Sequence, residues 1–116
     1  MKVPYAKLAY VPREKPKDKI ENYLLSLANP HSRPRALFFR SKGFSEANMN
    51  LFERRLLQII QRNDVTNTEH SQYGEKYIVD GVIETPIENS ISLRTMWIVD
   101  NRKRKPKFVT AFPHRV

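Results

Sequence analysis

Three histidines, His31, His70 and His114, are the side chains best suited to exchanging protons near neutral pH. His31 opens the run His31-Ser-Arg-Pro-Arg35, where Arg33 and Arg35 would bring an anionic substrate to a general base. The bland alternative is an ordinary surface histidine. His114 follows the last apolar run and, if docked, would stand near Thr110 and Phe112, whereas His70, in Thr-Glu-His-Ser, gathers no partners. Arg94 sits between Leu93 and Thr95 in an alternating segment. An arginine so placed either pairs with a carboxylate, here Asp80, or holds a phosphate. Thr110 offers a hydroxyl to a phosphate oxygen, or is simply a good strand residue. Tyr73 and Lys76 flank Gly74 and offer a phenol and a cation, or form a hairpin turn with a solvated lysine. Together such groups could act on a phosphodiester: a base for a hydroxyl, an acid for the leaving oxygen, and cations for the phosphate. The catalytic set expected on that chemistry is Arg94, Thr110, Lys76 and His31.

Other chemistries lack their residues. Without cysteine there is no disulfide, thiolate metal site or cysteine nucleophile. Three glycines cannot build a phosphate-cradling loop. No His/Asp/Glu group has metal-ligand spacing, so neither a metal nor another cofactor is expected. Ser41, Ser45, Ser71 and Ser92 lack the context of an activated nucleophile. No apolar run approaches the ~18 residues of a membrane span. The start Met1-Lys2-Val3-Pro4-Tyr5 lacks the apolar core of a secretory signal. A cytoplasmic protein away from membranes is the expectation.

Charge points to the partner. The 116 residues carry a net +9, distributed as +7 over 1–42, −4 over 43–100 and +6 over 101–116. If the fold joins the two basic ends, they form one surface that steers phosphate polymers. RNA or the ribosome is therefore the expected partner, with Arg33, Arg35, Lys42, Tyr73, Arg102, Lys103, Arg104, Lys105, Phe112 and His114 as binding residues. A small acidic protein would suit the same surface.

The elements that must position these residues follow from periodicity. Pro4 and Pro12 oppose a helix in the first segment. From Pro16 onward, Ile20, Tyr23, Leu24 and Leu27 follow helical spacing, which Asn29-Pro30 ends. The basic loop from His31 leads into a short helix closed by Gly43. Ser45 caps a longer helix whose apolar stripe is Met49, Phe52, Leu56, Ile59 and Ile60. Beyond Asn63 the period falls to two, predicting strands over Val65–Glu69, Lys76–Glu84, Ile91–Val99 and Lys107–Phe112. The result is one domain, 1–116, of α+β class: two or three N-terminal helices packed on a C-terminal three- to four-stranded antiparallel meander. Alternation puts Tyr77, Val79, Leu93, Trp97, Val109 and Ala111 on the helix side, with Trp97 opposite Val109 and Val79 near Thr95. Lys76, Asp80, Arg94, Met96, Phe108, Thr110 and Phe112 then share the outer face, as an RNA-binding sheet or a second apolar layer.

Two resemblances bear on function. The segments Ala6-Lys-Leu-Ala-Tyr-Val-Pro-Arg-Glu-Lys15, Asn22-Tyr-Leu-Leu25 and Arg35-Ala-Leu-Phe-Phe-Arg-Ser-Lys-Gly-Phe44 carry the first, with Gln72-Tyr-Gly-Glu-Lys-Tyr77, Leu93-Arg-Thr-Met-Trp-Ile98 and Pro106-Lys-Phe-Val-Thr-Ala-Phe-Pro113. In this order they resemble a bacterial family of short proteins classed as a domain of unknown function. That family's loop reads His-Pro, Gly-Arg, Lys-Ala, whereas this chain has the shorter His31-Ser-Arg-Pro-Arg35-Ala36. Helices before a meander that ends in Phe-Val-Thr-Ala-Phe-Pro are also similar, at the level of fold, to the barnase–EndoU–colicin–RelE nucleases. That second resemblance implies a toxin-like, metal-independent endoribonuclease of a toxin–antitoxin type system. A non-catalytic RNA-, ribosome- or protein-binding module is the alternative.

Overall fold

The computed structural model describes residues 1–12, 25–28, 30–87 and 89–114. The helix expected on Ile20, Tyr23 and Leu24 lies outside these residues. After a 3-10 turn at Ala6–Leu8, the first described α-helix, α1 (Arg33–Ser41), starts within the expected loop. Pro34 falls in its first turn, where a missing N–H leaves no hydrogen bond unmade. Gly43, at φ 96, ends it. The Gly43 N–H reaches the Arg40 carbonyl and the Phe44 N–H the Phe39 carbonyl, a Schellman closure. This turn folds the Phe44 ring back onto Phe52, with centroids 4.3 Å apart. Ser45 and Asn48 then cap each other across a 3-10 turn, and α2 (Met49–Arg62) follows. Phe52, Leu56, Ile59 and Ile60 form its buried stripe.

Four strands, β1 (Val65–Ser71), β2 (Gly74–Glu84), β3 (Ser90–Asp100) and β4 (Pro106–Pro113), form an antiparallel meander in chain order. Val79 pairs with Thr95 as alternation predicts. The β3–β4 register agrees with the expected one from Leu93 to Met96 and departs from it beyond Met96. Trp97 faces Phe108, not Val109, because the register shifts between Met96 and Trp97 and Val109 becomes the extra residue of a bulge. Phe108 therefore leaves the outer face assigned to it and is fully buried, edge-on to Trp97, while Ala111 returns to the core side.

A polar chain runs through this core. Trp97 Nε1 donates to Thr95 Oγ1 at 2.7 Å, and that hydroxyl donates to the Val79 carbonyl at 2.7 Å. The N-terminal arm crosses the core side of the sheet, with Val3 and Val11 buried in it. At one sheet edge the Met1 carbonyl accepts from Val65 N–H. At the other, Tyr10 pairs in parallel with Lys107, exchanging two backbone bonds with Pro106 and Phe108. The arm thus shields part of the β4 edge from adventitious pairing.

Candidate active site

Asp80 on β2 and Arg94 on β3 are register partners, and Phe112 lies opposite Arg94 on β4. Of its two expected uses, Arg94 takes the ion pair. Its Nε and one terminal nitrogen donate to the two Asp80 carboxylate oxygens at 2.8 and 2.9 Å. These bonds hold the Asp80 carboxyl below its ordinary range, against the opposing effect of burial; His114 and a hydroxyl bond from Thr66 act in the same direction as Arg94. The arginine is thereby aimed at a carboxylate and fixes its orientation.

The carboxylate in turn meets His114. The His114 backbone N–H bonds the Ser92 carbonyl at 3.1 Å, extending the β3–β4 ladder one residue past Pro113. Its ring Nε2 stands 3.6 Å from Asp80 Oδ2, an ion-pair distance longer than a hydrogen bond. The residue also lines a cavity of about 400 Å³ with Phe38, Lys42, Ile91, Ser92 and Pro113. The Lys42 ammonium lies 5.5 Å from the centre of the Phe38 ring. One concavity is therefore lined by His114 together with a cation and an aromatic residue. Asp80, locked by Arg94, is placed to hold the imidazole.

The remaining expected residues lie in other parts of the molecule. Thr110 accepts from the Arg35 guanidinium at 2.6 Å, and Arg35 also reaches the Ala111 carbonyl, so α1 is tied to the edge strand. Lys76 lies opposite Ile98, four residues along β3 from Arg94 and about 13 Å away. There it faces Glu69 at 3.9 Å. Tyr73 projects from the β1–β2 turn, where the neighbouring His70 pairs with Glu75. His31 is exposed just ahead of α1, and Arg33 donates to the Leu27 carbonyl at 2.8 Å. Arg102, Lys103, Arg104 and Lys105 form the exposed β3–β4 turn. The geometry thus joins Arg94, Lys42, Phe112 and His114 at one end of the sheet and leaves Lys76 and the β3–β4 turn toward the other. Sequence reasoning missed Phe38 and Ser92 and took Asp80 only as a partner for Arg94. For His114 the signal was the period of two: counting on from Thr110 and Phe112 places it on the face of Arg94.

Comparison with known proteins gives a family and a fold. The family described as Domain of unknown function (DUF6883) matches residues 2–115. No curated protein matches the sequence. Among solved structures, a chain of the "Contact-dependent growth inhibition toxin - immunity protein complex from Klebsiella pneumoniae 342" superposes with a TM-score of 0.72. The superposition covers 91% of this chain and 95% of that one at 17% identity, so the likeness is one of fold.

Proposed function

For a chain that belongs to the family Domain of unknown function (DUF6883), we propose a toxin-like role: metal-independent cleavage of RNA at the His114 cavity. The observation that carries this reading is His114, backed by Asp80 and Arg94, in one concavity with Lys42. In this scheme His114 takes the proton of the ribose 2′-OH. The 2′-oxygen attacks phosphorus, the bond to the 5′-oxygen breaks, and that oxygen leaves with a proton returned by the imidazolium or by water. Lys42 offsets the charge that builds on the phosphoryl oxygens, and Asp80 supports the cationic ring. Arg94 is a positioning residue that acts through Asp80. The products are a 2′,3′-cyclic phosphate and a 5′-hydroxyl.

The fold shared with a chain of a toxin–immunity complex and the net charge of +9 support a second partner, a small acidic protein that covers this surface and silences it. Incubation with total RNA in EDTA, followed by analysis of fragment ends, tests the enzyme reading. Discrete fragments ending in cyclic phosphate are expected. Intact RNA, together with an acidic protein that co-purifies, would replace catalysis with a protein-binding role.

A further inference from the structure

A second cavity, of about 440 Å³, opens between the N-terminal arm and the β3–β4 turn, lined by Leu8, Tyr10, Lys103 and Lys105. We propose that it is a nucleotide subsite for single-stranded RNA, holding a base and its phosphate at a distance from the His114 cavity. The proposal rests on the RNA reading above and extends it.

Three observations carry it. First, Lys103 and Lys105 belong to a cluster of exposed cations with Lys7, Arg102, Arg104 and Lys107. Among the described residues no carboxylate forms an ion pair with any of them. Asp100, the nearest acid in sequence, is engaged by the backbone N–H of Arg102. Second, the lining joins these cations to a tyrosine and a leucine in a concavity within the usual size range of small-ligand sites. Flat charge would suit an acidic protein, but a ring-lined recess suits a stacked base with its phosphate on the lysines. Third, Arg104 holds φ 51, a left-handed position where glycine or asparagine is the unstrained choice. A cation kept in that conformation is the kind of local strain that collects at binding sites.

The two cavities lie toward opposite ends of β4, about 23 Å apart along Pro106–Pro113, with Lys107 and Arg35 between them. A few nucleotides of single strand bridge that span. The tip subsite would then hold the strand while a phosphodiester farther along meets His114.

The test measures binding without cleavage, using a labelled 2′-O-methyl RNA octamer that the proposed chemistry cannot cut. The double variant Lys103→Ala/Lys105→Ala should bind it about tenfold more weakly. The slope of log affinity against log salt should fall by about 1.4, the value for two phosphate contacts on a single strand. Tyr10→Leu should weaken binding severalfold and leave that slope unchanged, with thermal melts confirming the fold. A dinucleotide too short to span both cavities should still be cleaved equally by wild type and the lysine variant. Unchanged octamer affinity in the lysine variant overturns the subsite whether or not the protein cleaves RNA. Binding of a poly-glutamate peptide that needs the lysines but ignores Tyr10, with no octamer binding, assigns the patch to an acidic protein and also overturns it. Octamer binding that behaves as expected while cleavage fails would retain the subsite and reject the His114 chemistry.

Discussion

The Asp80–Arg94 pair links charge at the candidate site to stability. Because Arg94 holds the Asp80 carboxyl below its ordinary value, the unfolded chain takes up this proton first as pH falls. The stabilisation is fully present above the ordinary carboxylate range, near pH 4. It is lost as pH drops through the lowered folded value. Asp80→Asn should therefore melt below wild type at neutral pH, and the difference should shrink as pH falls from about 5 towards 3. Thermal melts across that range check this; a constant offset would mean that the carboxylate charge contributes nothing. Arg94 was legible in sequence as a cation that needed a partner, and Asp80 was among its candidates. His114 was harder to place because its partner lies two strands away, on β2, and strand alternation describes faces without diagonal contacts. Phe38 and Ser92 carry no chemical signal in sequence and enter the site only by packing.

Elements were readable where one pattern dominated. The α2 stripe from Phe52 to Ile60 appears in the structure where spacing put it, whereas Ser45 caps the 3-10 turn that precedes α2, whose own N-cap is Asn48. The bulge on β4 was hidden because Phe108 and Val109 are both apolar, so either residue satisfies an alternating pattern. Trp97 resolves the choice: its ring needs an edge-on neighbour on the core side, and Phe108 supplies it. The arm presented the converse difficulty, since Val3 and Val11 are too far apart to reveal a period, yet both are buried. At the centre of the sheet, Thr95 is the hydroxyl through which the Trp97 N–H and the Val79 carbonyl are joined. Thr95→Val keeps the shape but leaves the indole N–H without its acceptor in a buried setting. The expected cost is about 1–3 kcal/mol, read as a lower denaturation midpoint at unchanged m-value. No change in stability would show that the hydroxyl chain contributes nothing to the fold.

At the scale of the whole molecule, the sheet turns an uneven charge sequence into an arranged surface. The N-terminal arm runs across the core side to meet β4 at Lys107, beside the turn that carries Arg102 to Lys105. The first twelve residues thus reach the basic β3–β4 turn at Tyr10 and Lys107, which joins described parts of the two basic ends of the chain. Acidic residues of the central segment are used largely within the fold, in pairs such as Glu46 with Arg40 and Asp80 with Arg94. On the proposed reading, that division makes the β4 side the face that an anionic polymer would meet, with the cleavage cavity at one end. The central claim concerns His114. Single-turnover cleavage of one defined RNA by wild type and His114→Ala, at protein concentrations above the binding constant, tests it most directly. Loss of a general base at that position should slow cleavage by about 10²–10⁴-fold, with RNA affinity within a factor of about two. Cleavage at the wild-type rate by His114→Ala would contradict the assignment and move the chemistry away from this cavity.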